Sequence, residues 1–258
     1  MGSAAFEVIC EVEPPTRPDL THVRHQIGVL GKVATASLIP DNHLGRATVS
    51  SIAVAHEVER MGGRAIACLN ARDRNLLGFR RDLLTAAAYG VDRFLLVQGD
   101  RPSSGQGTGQ LTVRSMVEEC RAFGASHPDL PTLGVGVAGR GTPLPAWKRT
   151  ADFVFLQVGF DLSDLLARRE GLGYDGPVYA GVMVVASAAM ARKLSAEVDQ
   201  LAVPADWVDA VEADHDAGVR LACELVAAVR ASGAFAGVHL IPVSRYREVA
   251  ATLEHTLR

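Results

Sequence analysis

The chain has 258 residues, 48% of them hydrophobic, and a formal net charge of −3. That suits one large domain with a closed core, or two small ones. With no Lys/Arg-rich run, the charge excludes an electrostatic nucleic-acid surface.

Eight apolar, β-branched-rich runs recur along the chain: Phe6–Glu11, Val33–Ile39, Ala65–Leu69, Phe94–Gln98, Leu133–Ala138, Phe153–Gln157, Val178–Val184 and Val238–Pro242. Continuous runs such as Phe94-Leu95-Leu96-Val97 suit strands buried on both faces. Patterns of 3.6-residue period lie between most of them. They predict helices over Thr48–Met61, Leu76–Tyr89, Val113–Phe123, Leu162–Arg169, Ala188–Leu201, Asp214–Ala231 and Arg245–Leu257. In the first of these Val54, Val58 and Met61 share a face. Ala88-Tyr89-Gly90 places a glycine at a helix C-terminus. Eight strands with interleaved helices in about 250 residues match a (β/α)8 barrel, here a single domain over 1–258. A doubly wound open sheet is the alternative, but no GxGxxG follows the first strand. About a dozen residues separate Gly139 from Phe153, several of them in Gly141-Thr142-Pro143-Leu144-Pro145. The fifth crossover helix must therefore be truncated.

Cys10, Cys68, Cys120 and Cys223 are scattered, with no CxxC, which suits free thiols in a reducing cytoplasm. The N-terminus reads straight into a strand, without a signal peptide. The apolar stretch Pro177–Ala191 is too short for a bilayer. The expectation is a cytoplasmic protein without a membrane or nucleic-acid partner, a monomer or a small homo-oligomer. The histidines show no metal-ligand spacing, so no metal is expected.

Carboxylates at the C-terminal ends of barrel strands are catalytic candidates. Glu11 and Glu13 are two apart and share a strand face, just before Pro14-Pro15. Partial burial favours the protonated form of a carboxyl, which makes a proton donor near neutral pH; the alternative is a polar strand end with one ion pair. Asp100 follows Gly99 after the fourth strand. It could accept paired hydrogen bonds from a heterocycle, or form an Asx-turn or N-cap. Gly105–Gln110 is mostly a linker. Gln157 ends the sixth strand, as a ligand contact or as part of a core network. Arg245, past the eighth, binds an anionic group or begins the last helix. Asp73-Arg74-Asn75 reads as a helix N-cap, and His43 as a loop residue.

Together these segments resemble the methylenetetrahydrofolate reductase family, in order and through nearly the whole chain. The resemblance rests on Glu11 three residues before Pro14-Pro15, Gly99-Asp100, Gln157 ahead of Phe160-Asp161, Arg245, and Arg72-Asp73-Arg74-Asn75 after strand three. Ser37 stands where the family has a Thr. The family's usual members bind FAD and pass hydride from NAD(P)H to 5,10-methylenetetrahydrofolate, for methionine biosynthesis. This chain departs on the flavin side. Cys68 replaces a flavin-contacting His, Gln98 an Arg, and Ala138-Gly139-Arg140-Gly141-Thr142-Pro143 a Tyr-Pro segment. The aromatic after strand seven has no match in Ala186-Ser187-Ala188. The chain is therefore similar to the flavin-independent branch. That resemblance implies an NADH- or NADPH-dependent reductase without FAD. It implies Glu11 as general acid, Asp100, Gln157 and Arg245 on the folate, and Ser37, Gln98, Arg140 and Gln157 toward the nicotinamide cofactor. An FAD-dependent reductase with altered contacts and a non-catalytic folate-binding barrel are the alternatives.

Overall fold

The structure, a computed structural model, describes residues 5–197 and 201–256. Eight strands pair in parallel, each with the next and the last with the first, and close a barrel. They are β1 (Glu7–Glu11), β2 (Ala36–Ile39), β3 (Ala65–Asn70), β4 (Arg93–Val97), β5 (Gly134–Gly139), β6 (Phe153–Val158), β7 (Val178–Met183) and β8 (Gly237–Ile241). The expected (β/α)8 barrel is the observed fold. The surrounding helices are α1 (Thr21–Leu30), α2 (Ser51–Arg60), α3 (Leu76–Ala88), α4 (Val113–Ser126), α5 (Leu162–Gly171), α6 (Ala188–Glu197), α7 (Ala205–Ala213), α8 (Ala217–Ser232) and α9 (Tyr246–Thr256).

Two helices escape the sequence reading, α1 and α7. The first carries the i, i+3, i+4, i+7 signal, since Val23, Gln26, Ile27 and Leu30 are its buried positions, but a buried Gln and interspersed His and Arg dilute it. The second is short and buries only Trp207 and Val211. The expected helix from Asp214 starts later, at Ala217, because the Asp214 carboxylate accepts from the Asp216 amide at 3.0 Å and holds a turn. Residues 198–200 of the expected helix Ala188–Leu201, and Leu257 of the last, lie outside the described residues. In α2, Val54 and Val58 are buried while Met61 is exposed past the helix end. Each such buried valine contributes about 1.5–3 kcal/mol relative to an exposed one.

The fifth crossover is truncated, as its length requires. Between β5 and β6 there is only a 3-10 turn, Lys148–Thr150. Leu144 is buried against the barrel, and its amide bonds the Leu172 carbonyl at 3.0 Å. Gly141 and Gly171 pack so closely that a Cβ on Gly171 would lie 2.2 Å from the Gly141 carbonyl oxygen. The Lys148 ammonium donates to the Ala138 carbonyl at 2.6 Å. Burial, with Arg140 as a lesser cause, pushes that lysine's pKa down.

Strand alternation divides the residues between two clusters. Val8 and Cys10 of β1, and Val12 just past it, join the large outer cluster under the helices, while Ile9 joins a smaller lumen cluster with Leu38, Ile66, Cys68, Leu95, Phe153, Phe155 and Tyr179. Below these, Arg93 donates to Glu7 and to the Tyr179 hydroxyl, at 3.3 Å each. Tyr179 also donates to Glu7. Burial first, then Glu7, pushes the Tyr179 pKa up to about 12. This polar group closes the N-terminal end of the lumen. Glycines make room for the rings above it: a Cβ on Gly136 would sit 2.0 Å from the Phe153 ring.

One irregularity bears on the site. Phe155 pairs with Tyr179 and Val158 with Gly181, so β6 carries an extra residue where it meets β7. This is a β-bulge, which bends a strand and re-aims a side chain. It requires Gly181, because a Cβ there would lie 2.6 Å from the Leu156 carbonyl oxygen and 2.8 Å from the Val158 nitrogen. Both contacts are with backbone and cannot relax by a rotamer change. Gly181→Ala is expected to cost about 1–3 kcal/mol, the usual range for overpacking, and to lower the melting temperature by several degrees in calorimetry. An unchanged melting temperature would show that the bulge tolerates a side chain.

Candidate functional site

The C-terminal mouth of the barrel collects the polar residues. Glu11 ends β1 on the lumen side, above Glu7 and Ile9 on the same face. Its side chain is 16% exposed and faces His239 of β8, whose side chain is 11% exposed, with Oε2 and Nε2 3.3 Å apart. The distance suits an ion pair, yet Nε2 is buried and makes no hydrogen bond. His239 also packs edge-on against Phe155, centroid to centroid 5.4 Å. Glu13 lies past the strand and is exposed, and Pro14 beside it is buried. The two glutamates therefore differ in environment although their spacing is that of one face.

Gln157 is the exposed residue of a strand otherwise buried from Phe153 to Val158. It sits on the bulge, so the distortion that Gly181 permits is what turns the amide out of the packed sheet. In the row below, Gly181 pairs in register with His239 and leaves space beside the imidazole. Glu11, His239 and Gln157 thus share the β6–β8–β1 side of the mouth.

The opposite side, at the ends of β2, β3 and β4, is a closed polar network. Asn70 is fully buried. Its amide N–H and its side-chain amide both donate to Asp41, at 2.9 and 2.7 Å. Arg74 pairs with Asp41 and, at 2.9 Å, with Asp82. Arg72 donates twice to Asp73 at 2.6 Å, which holds that carboxyl down at about 2. Asn75 caps α3 by accepting from the Gly78 amide at 2.7 Å, as read from the sequence. The close approach that Gly99 permits is to Asn70: Gly99 has φ +88°, and a Cβ there would meet the Asn70 Cβ at 2.9 Å. Asp100 reaches the mouth but is exposed, and one of its oxygens accepts from the Leu44 amide at 2.8 Å. His43 opens a 3-10 turn, His43–Gly45, in the connection after β2, and lies 4.0 Å from the same oxygen.

The remaining predicted residues are less well placed. Ser37 points away from the lumen. Its neighbours Ala36 and Leu38 belong to the lumen cluster, and Ser37 lines a groove of about 320 Å³ with Ile27, Lys32, Met61 and Arg64 at the N-terminal end of the barrel. The strand period places it on the wrong face for a nicotinamide at the mouth. Gln98, one residue past β4, follows the outward parity of Phe94 and Leu96; it is exposed, and its carbonyl accepts from the Arg72 amide. Arg140, past β5, keeps the lumen parity of Ala138 and is exposed. Arg245 is 8% exposed, and its guanidinium donates to Asp216, Glu248 and the His215 carbonyl. It ties the start of α9 to the turn before α8, which is the second of the two sequence readings.

Sequence reasoning missed His239, Asp41 and Asn70. For His239 and Asn70 the signal was present in the strand alternation, which puts them on the lumen parity of β8 and β3; Asp41, past the end of β2, carried no such signal. Cys68 lies in the lumen, where burial first, then Glu11 and Asp41, holds its thiol pKa well up, so it is no thiolate nucleophile. All four cysteines are free and buried. Among the described residues no group of three or more His, Cys, Asp or Glu could hold a metal ion, and no helix is long and apolar enough to cross a membrane.

No protein-family model matches the chain, and no curated protein matches it. Solved structures are similar to it in fold. A Clostridium thermocellum protein that binds two copies of 5-methyl-5,6,7,8-tetrahydrofolic acid superposes with a TM-score of 0.64 at 11% identity, over 99% of this chain and 96% of that one. A Yersinia pestis dihydropteroate synthase, solved with a pterine-sulfa conjugate, gives 0.53 at 13% identity over 100% and 96%. A Rhizomucor miehei β-1,3-glucanosyltransferase gives 0.55 at 11% identity over 93% and 88%. Identities this low establish the barrel and nothing finer.

Two tests address the β2–β4 network. Asp41→Ala leaves Arg74 and the Asn70 donors buried without their main partner, and is expected to cost about 3–5 kcal/mol in urea unfolding, the usual penalty for a broken buried pair. A loss under 1 kcal/mol would mean that water replaces the carboxylate. Asp73 is depressed, so its stabilisation is complete above the ordinary carboxyl range near 3.8 and is lost as pH falls through about 2. Asp73→Asn should flatten the acid limb of the stability profile in that window.

Proposed function

We propose that this barrel binds a reduced folate and reduces 5,10-methylenetetrahydrofolate to 5-methyltetrahydrofolate, with NADH or NADPH as donor and without flavin. The observation that carries the reading is Glu11: a carboxyl held mostly buried at the lumen end of β1, beside an imidazole and open to the mouth. Opening the substrate's five-membered ring breaks a carbon–nitrogen bond, and the leaving nitrogen departs only if protonated. A positioned carboxyl supplies that proton. The methylene carbon gains the hydride, which the nicotinamide supplies when bound. Gln157 and Arg140, both exposed, would orient the two ligands in this reading, and orientation is the main contribution a rigid mouth makes.

Two comparisons support a folate or pterin ligand, since structures with this fold bind 5-methyltetrahydrofolic acid and a pterine conjugate. The glucanosyltransferase shows that the fold alone does not choose the ligand. The flavin-free reading is supported by Cys68 in the lumen, by the outward parity of Gln98, and by the 3-10 turn in place of a fifth crossover helix. A second reading, a folate-binding barrel without catalysis, is supported by the neighbour of this fold that is described only as binding 5-methyltetrahydrofolic acid.

An absorbance spectrum of the purified protein, followed by NADH and NADPH oxidation with methylenetetrahydrofolate, separates these readings. A flavin band would overturn the flavin-free mechanism; folate binding without turnover would favour the second reading. Glu11→Gln keeps size but loses the proton, and kcat is expected to fall by about 10²–10⁴-fold with folate still bound. Glu13→Gln, on an exposed residue, should stay near wild type. The reverse result would mean that the wrong carboxylate has been chosen.

A further inference from the structure

We propose that Leu44 is a specificity-determining residue of the mouth. Its side chain forms an apolar wall beside Asp100, against which a flat heterocycle lies while donating N–H groups to that carboxylate. The proposal rests on the reading that this mouth binds a reduced folate and a nicotinamide donor.

The backbone of Leu44 is in an unfavourable state. Inside the His43–Gly45 turn it has φ +55° and ψ +27°, in the left-handed region. For an L-residue this conformation brings Cβ too close to the following carbonyl oxygen. Asn42 is also left-handed, at φ +48°, but asparagine visits that region readily. Gly45, at φ +68°, has no Cβ, and one there would lie 2.0 Å from the Arg101 carbonyl oxygen. Such outliers persist only where the surroundings over-determine them, and they cluster at ligand clamps and active sites. Here the surroundings do so. The Leu44 amide donates to Asp100 Oδ2 at 2.8 Å. The amide and the hydroxyl of Ser103 both donate to the Gly45 carbonyl, at 2.9 Å each. The Asn42 side chain donates to Asp73 at 2.9 Å and accepts from the Thr48 amide at 3.2 Å. The loop after β2 is thus clasped to the loops after β3 and β4, with Leu44 inside the clasp.

The fold makes no use of the side chain held in this way. Leu44 is 58% exposed and belongs to neither apolar cluster. A single exposed leucine is ordinary. A leucine fixed in a conformation that glycine adopts freely is not, and glycine would serve the loop here with less strain. What leucine adds is apolar surface at a fixed spot, and Asp100 defines that spot. With its nitrogen 2.8 Å from Oδ2, Leu44 has its Cα within about 4 Å of the carboxylate, one N–Cα bond further on. The isobutyl group therefore starts beside Asp100. The other oxygen, Oδ1, accepts nothing among the described residues, and the side chain is exposed. A ring whose edge donates to Oδ1 lies within reach of Leu44. Polar groups that fix an edge, with apolar cover for a face, are the usual means by which small-molecule sites set orientation. The pterin ring and the nicotinamide with its carboxamide share this chemistry.

The test is Leu44→Gly, which removes the wall and relieves the backbone. Wild type and variant are melted without ligand, then titrated separately with 5-methyltetrahydrofolate, NADH and NADPH. The expected melting temperature equals that of wild type or lies up to about 4 °C higher. At least one ligand should bind about tenfold more weakly, the equivalent of about 1.4 kcal/mol. A ligand that weakens is one whose ring Leu44 covers, so the separate titrations tell pterin from nicotinamide. Leu44→Met keeps an apolar side chain and should bind as wild type does. Weaker binding by a protein that is no less stable is a result that a purely structural leucine cannot give. A melting temperature several degrees lower in Leu44→Gly would show that the side chain packs within the fold, and would overturn the proposal. So would a loss in Leu44→Met as large as that in Leu44→Gly. If wild type binds these ligands and Leu44→Gly binds them equally well, this proposal alone falls and the folate reading stands. If wild type binds none of them, the folate reading fails and this proposal with it.

Discussion

The lumen of this barrel is closed from below by a charged group, and the rest of the mouth depends on that closure. Glu7, Arg93 and Tyr179 satisfy one another at the N-terminal end, and the rings of Phe153, Phe155 and Tyr179 lie among the aliphatic side chains of the same lumen cluster. An eight-stranded barrel has just enough interior for side chains to fill. Filling it from one end leaves polar positions only at the other. Glu11 repeats Glu7 four residues along the same strand face, with Ile9 between them. One strand thus supplies both the acid that plugs the barrel and the acid that stands at its opening.

The two sides of the mouth have different physical characters. At the ends of β2, β3 and β4, nearly every polar atom is engaged internally, and the arrangement is a frame. At the ends of β6, β8 and β1, a bulge, a missing side chain and an imperfect contact leave groups available. Rigid framing on one side and availability on the other is the combination a positioned site needs, since catalytic groups are held by neighbours whose own geometry is fixed.

Much of the fold was legible in the sequence, because buried parallel strands read as apolar runs and the chain had too few residues for a fifth helix. The unread helix α1 carried the right period, diluted by Gln26 and two histidines. The site was less legible. Glu11 could be singled out as a candidate from its place at a strand end, but its difference from Glu13 depends on where the strand stops. His239 was passed over because a histidine inside an apolar run has no local motif; its meaning comes only from β8 closing against β1. Ser37 was misplaced for the opposite reason: a likeness of residue type at a position says nothing about which face that position takes. Arg245 could have served a ligand or a helix start, and the acids that claim it come from α9 itself and from the turn ahead of α8, some thirty residues earlier in the chain.

The shortened fifth unit has a consequence for how the ring is joined. Every other strand-to-strand passage carries at least one α-helix, while β5 passes to β6 through a loop held by Leu144, Lys148 and two glycines in contact. A ring of like units with one light clasp has a preferred seam. New chain ends opened in this loop would interrupt no helix, so a permuted chain running from β6 round to β5 would keep every sheet pairing and every helix of the present order. The barrel is cyclic in space, and its sequence order has one place where it could begin again at little cost.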